Sequence, residues 1–125
     1  MFTGIEHIGI MVSDMDKSLK FYQEILGFEL RKRTFIRDET IELAFLYQPS
    51  NPYSEVELIA APNTDQDGVV NHLALSVENI EEAVAHLVSH NIKMDGDIIQ
   101  IFPDTKIVFF RGPNHEKLEL VERRR

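Results

Sequence analysis

The stretch His7-Ile8-Gly9-Ile10-Met11-Val12-Ser13-Asp14 decides the reading of this chain, because it occurs twice. Its counterpart is His72-Leu73-Ala74-Leu75-Ser76-Val77-Glu78-Asn79. Each run is opened by a histidine, ends on a helix-capping residue and is followed by a helical pattern. Each half also closes on a similar strand, Val56-Glu57-Leu58-Ile59 in one and Leu118-Glu119-Leu120-Val121 in the other. Similarity at a fixed offset marks a repeated structural module. Each half therefore reads as a strand, a helix and further strands. Residues 62–69 (PNTDQDGV), rich in Pro, Asn, Asp and Gly, read as the linker.

The spacing predicts the remaining elements. Asp14 caps a first helix, in which Met15, Leu19, Tyr22 and Leu26 form the apolar stripe and Gly27 supplies a left-handed C-terminal residue. Asn79 caps the second, with Glu82 as its box partner and Ile80, Ala83, Val84, Leu87 and Val88 as the buried stripe. His86 and His90 lie on this helix and are expected at the surface. Strands are expected over Glu29–Arg37 and Ile41–Tyr47, joined around Asp38-Glu39. Glu55–Ala61 follows a Pro49-Ser50-Asn51-Pro52 loop. Asp97–Phe102, Lys106–Arg111 and Lys117–Glu122 repeat the pattern, with Gly112-Pro113-Asn114 as the last turn and His115 beside it. The expectation is an α+β protein of two βαβββ modules, about 5–61 and 70–122, within one domain over 1–125.

Composition bounds the function. The 125 residues suit a single domain with a sizeable core. With no cysteine, disulfides, Cys-ligated zinc, iron–sulfur clusters and thiol nucleophiles are excluded. No apolar run approaches the ~20 residues of a membrane span. The start of the chain, without a basic region before its apolar stretch, reads against a secretory signal. A cytoplasmic location is expected, since the lack of cysteine fits a reducing compartment. The net charge of −8 argues against nucleic-acid binding. Arg123-Arg124-Arg125 is expected to be a solvated tail.

Strand parity picks out four residues. Side chains alternate faces along a strand. His7 shares a face with Gly9 and Met11, and His72 with Ala74 and Ser76, opposite their apolar neighbours. Glu57 and Glu119 alternate in the same way with Val56 and Leu58, and with Leu118 and Leu120. All four polar residues thus point away from the face given to the helices. Gly9 and Ala74 leave room beside the histidines. Two imidazoles and two carboxylates form a ligand set for a divalent first-row metal, and the carboxylates offset its charge. Phe45, Tyr47, Phe102, Phe109 and Phe110 are either ordinary core or the lining of a cavity.

These residues carry a resemblance. HIGIMVSDMDKSLKFYQEILGFEL, EVELIA, HLALSVENIEEAVAHL and FFRGPNHEKLELVE resemble the vicinal oxygen chelate superfamily, which includes glyoxalase I, methylmalonyl-CoA epimerase, extradiol dioxygenases and the fosfomycin and bleomycin resistance proteins. The resemblance implies paired βαβββ modules forming an incomplete curved barrel around a metal. It implies His7, Glu57, His72 and Glu119 as metal ligands, the glyoxalase I pattern, since epimerases commonly carry glutamine at the Glu57 position. The cofactor implied is one divalent ion per site, Ni, Zn, Co, Fe or Mn. Related proteins are usually homodimers, and a site can be built within one chain or across two.

Two positions depart from small bacterial glyoxalase I enzymes. Met11 stands where they carry an arginine that helps hold glutathione, and Ile59-Ala60-Ala61 lacks their asparagine. Arg31, Lys32, Arg33, Arg37, Lys106 and Arg111 are the cations left to meet an anionic thiol conjugate. The leading expectation is a metal-dependent lyase or isomerase acting on a small oxygenated substrate through an enediolate, with Glu119 as base and Glu57 as its partner. The alternatives are a metal-free drug-binding resistance protein and an enzyme like methylmalonyl-CoA epimerase.

Overall fold

The computed structural model describes residues 1–62, 68–113 and 115–124. Most of the expected linker, 63–67, and Asn114 of the last expected turn lie outside the described residues. The chain divides into two compact units. One comprises His7–Asn71, and the other combines Met1–Glu6 with His72–Arg125.

In the first unit, β1 (Phe2–Met11, from His7 onward) is followed by α1 (Met15–Lys20) and then by β2 (Glu29–Ile36), β3 (Ile41–Gln48) and β4 (Asn51–Ala60). The strand order is β2-β3-β4-β1. β2, β3 and β4 run antiparallel, and β4 lies parallel to β1 with Gly9 opposite Glu57. The apolar parity set Ile10, Val12, Val56 and Leu58 joins Ala44 and Leu46 against Met15 and Leu19 of α1. Leu46 and Leu58 are fully buried. Such burial contributes roughly 1.5–3 kcal/mol per side chain. Asp14 caps α1 by accepting a hydrogen bond from the Lys17 amide at 3.0 Å.

α1 does not continue to Leu26 as a regular helix. A π turn covers Phe21–Ile25, in which the Leu26 amide donates to the Phe21 carbonyl five residues back. The wider turn rotates later side chains off the α-helical stripe. Leu26, expected in the core, is 44% exposed, while Tyr22 stays half-buried against Phe28. Gly27 closes the segment with φ +77°, as expected. The four-residue loop expected at Pro49–Pro52 is shorter. β3 and β4 pair directly at Gln48 and Asn51, around Pro49-Ser50, with a register shift after Tyr47. That irregularity accommodates Pro52, which has no amide to give to a ladder.

The second unit holds β5 (Val70–Val77, from His72 onward), α2 (Ile80–Ser89), β6 (Ile99–Phe102), β7 (Thr105–Arg111) and β8 (Lys117–Arg123). Their order is β5-β8-β7-β6, with β5 parallel to β8 and the others antiparallel. Asn79 caps α2 through the Glu82 amide at 3.0 Å. Ile80, Ala83 and Leu87 pack on Val108, Phe110 and Leu120. Val88, expected in this stripe, is 54% exposed, because it stands one residue, about 100°, round the helix from buried Leu87. His86 and His90 are exposed, as expected. The two units thus repeat one βαβββ pattern in an α+β fold.

Arg123 corrects the expectation of a solvated basic tail. It is the last residue of β8, and its Nε lies 2.9 Å from Glu6 Oε2. Both side chains are almost fully buried. Thr3 Oγ1 also donates to the Ser76 carbonyl at 3.2 Å. These contacts attach the first six residues to the second unit. Arg124 is exposed, and Arg125 lies outside the described residues.

Candidate metal centre

Each unit brings one expected histidine to one expected glutamate. In the first, His7 Nε2 lies 3.4 Å from Glu57 Oε1. In the second, His72 Nε2 lies 3.1 Å from Glu119 Oε1. Parallel pairing explains both contacts. Glu57 stands beside Gly9 and Glu119 beside Ala74, the small residues two places after each histidine.

The surroundings repeat as well. Phe45 is the antiparallel neighbour of Glu57, and Phe109 that of Glu119. The Phe45 ring meets His7 edge-on, with centroids 6.1 Å apart at 82°. The Phe109 ring meets His72 at 5.9 Å and 83°. Each phenylalanine also carries a cation over its ring, Arg31 at 5.0 Å over Phe45 and Lys117 at 4.6 Å over Phe109. The other expected aromatics serve differently. Phe110 belongs to the core beneath α2, and the Tyr47 hydroxyl donates to Glu29 at 2.8 Å. That bond to a carboxylate holds the Tyr47 hydroxyl above its ordinary pKa.

The four residues are 4–7% exposed, unusual for glutamate and histidine side chains. Burying a carboxylate is costly unless a charge or ligand compensates it. Metal–nitrogen and metal–oxygen bonds of about 2.0–2.2 Å place neighbouring ligand atoms roughly 3.0–3.4 Å apart. Both His–Glu separations fall there, and imidazole with carboxylate suits a divalent first-row ion. The residues present fit such an ion. A cleft of about 400 Å³ beside the start of α1, lined by Met11, Asp14, Lys17 and Phe21 among others, includes none of the four.

Most of the cations considered for an anionic thiol conjugate are held by the protein's own carboxylates. Arg31 forks onto Glu55 through Nε at 2.6 Å and Nη2 at 2.9 Å. Arg33 meets Glu42 and Asp16, and their hydrogen bonds raise its pKa further. Lys106 reaches Glu81 at 3.2 Å, and Arg111 reaches Asp95 at 3.1 Å. Sequence reasoning passed over Lys117, although its place two residues before Glu119 puts both on one strand face. His115 is an exposed turn residue with φ +65°.

Repeated βαβββ units that each bury a histidine–glutamate pair define a two-module α+β architecture. Residues 4–120 match the Glyoxalase/Bleomycin resistance protein/Dioxygenase superfamily, and the chain belongs to that family. It is 34% identical to YwbC of Bacillus subtilis over 98% of this chain and all of that one. It is 28% identical to the lactoylglutathione lyase of Salmonella typhimurium, over 93% of this chain and 90% of that one. Among solved structures, the methylmalonyl-CoA epimerase of Mycobacterium tuberculosis superimposes with a TM-score of 0.86 over 99% of this chain and 90% of that one. At 23% identity, that likeness speaks for the fold alone.

Proposed function

We propose that the protein is a metal-dependent lyase or isomerase of glyoxalase I type, acting on a small oxygenated substrate. The observation that carries this reading is the pair of buried His–Glu contacts, both at the spacing of neighbouring metal ligands. His7, Glu57, His72 and Glu119 would hold one divalent ion, Ni, Zn, Co, Fe or Mn. Bound there, the ion would supply Lewis-acid charge to stabilise negative charge developing on substrate oxygens. Glu119 takes the proton from the carbon beside the carbonyl, and Glu57 is its partner in returning one. Phe45 and Phe109 orient the imidazoles edge-on.

The lyase relative makes a thiol hemithioacetal the first substrate class to test. The epimerase neighbour makes a 2-substituted acyl thioester the second, since epimerisation also begins with proton removal beside a carbonyl. Glutamate at position 57 favours the first class. A homodimer in the cytoplasm belongs to the same proposal.

The test is metal analysis followed by turnover. Purified protein should hold about one divalent ion per chain, and His72→Ala should lose most of it. Glu119→Gln keeps an oxygen for the metal but cannot accept a proton. At saturating metal it should lose about 10²–10⁴ in turnover. Full metal affinity in His72→Ala, or undiminished turnover by metal-loaded Glu119→Gln, refutes the respective assignment. A metal-free protein that tightly binds an aromatic drug would replace the enzyme with a binding module.

A further inference from the structure

The two His–Glu pairs have matching surroundings except in charge. In the first unit the cation over the phenylalanine, Arg31, is neutralised by a two-point bond to buried Glu55. In the second unit the corresponding cation is Lys117. Among the described residues no carboxylate pairs with it, and its partner is the Phe109 ring. The side chain is half-buried and shares the face of Glu119. Directly opposite Lys117 across β7 and β8 stands Arg111. Like charges directly opposite in a sheet destabilise it. Asp95 offsets Arg111, which leaves Lys117 as the cation of this cross-strand pair that no carboxylate holds among the described residues.

The geometry points to Lys117 as the residue that receives a carboxylate of the substrate. This inference rests on the metal reading above and deepens it. One phenylalanine ring separates the ammonium from the His72 imidazole, since Phe109 touches both. The substrate would therefore carry its reacting oxygens at the His72–Glu119 end and a carboxylate a few bonds away, over Phe109. A single ammonium suits a monoanion better than a phosphate dianion. The substrate class becomes a carboxylate-bearing 2-oxo or 2-hydroxy compound or its thiol adduct. Lys117 is on this account a specificity residue that takes no part in the proton transfer.

Two probes test this in calorimetric titrations of nickel-loaded protein. Acetohydroxamate offers two adjacent oxygens and no further charge, and succinate monohydroxamate adds a carboxylate. Wild-type protein should bind the carboxylated probe about tenfold more tightly, the size of one charge-assisted hydrogen bond. Lys117→Met keeps the apolar stem over Phe109 and should erase that advantage while leaving acetohydroxamate binding unchanged. Lys117→Arg should retain most of it, which separates loss of charge from misfolding. If acetohydroxamate binds but the carboxylate brings no gain, or the gain survives in Lys117→Met, the assignment of Lys117 is overturned and the metal reading stands. If neither probe binds the nickel-loaded protein, the metal reading falls and the assignment falls with it.

Discussion

Arg123 and Glu6 form an ion pair, with Nε 2.9 Å from Oε2, in which both side chains are almost wholly removed from water. They join the beginning of the chain to its last strand. Removing one partner of a buried pair strands the other's charge, which typically costs 3–5 kcal/mol. Arg123→Met should destabilise the protein by about that amount in urea denaturation. The double variant Glu6→Leu, Arg123→Met should recover much of the loss, because no charge is left buried. A cost for Arg123→Met below about 1 kcal/mol, the range of exposed pairs, would contradict this account.

Gly27 ends the π turn at φ +77°, and a Cβ built there meets no atom within 4 Å. The cost of a side chain is therefore backbone strain alone. Gly27→Ala should lose roughly 1–2 kcal/mol in thermal or urea unfolding, and Gly27→Asn less, since asparagine tolerates this conformation. Equal stability of all three proteins would show that the turn relaxes to a different backbone.

Glu81, in the first turn of α2, has its pKa held below the ordinary glutamate value. The larger cause is the hydrogen bond from its own backbone amide, and the next is Lys106. A lowered carboxylate pKa contributes stability above the unfolded value, and that contribution fades as pH falls through the folded value. Carbon-detected NMR titration should find Glu81 titrating below a typical glutamate. In Lys106→Met it should move part of the way back, because the amide contact remains. A Glu81 midpoint at or above the ordinary value would refute the assignment of both contacts.

The repeated pattern was legible because period-two alternation and capping residues are local signals. His7-Ile8-Gly9-Ile10 and His72-Leu73-Ala74-Leu75 fix which side chains leave the helix-facing side, whatever the rest of the chain does. Asp14, Asn79 and Gly27 act within a few residues of themselves, and all three serve as the sequence suggests. The pairing of each histidine with its glutamate was foreshadowed by parity and by the small residues beside it.

Other features rest on register and packing, which no local pattern encodes. Leu26 has the right spacing for a buried stripe, yet one wide turn rotates it out to solvent. Arg123 belongs to a basic run, yet the strand carries it inward to a carboxylate more than a hundred residues earlier in the chain. Lys117 gains significance only because Phe109 lies diagonal to it and Glu55 has neutralised its counterpart Arg31. Alternation tells which way a side chain points. Which charge it meets is decided by cross-strand register, and that is set cooperatively by the whole sheet.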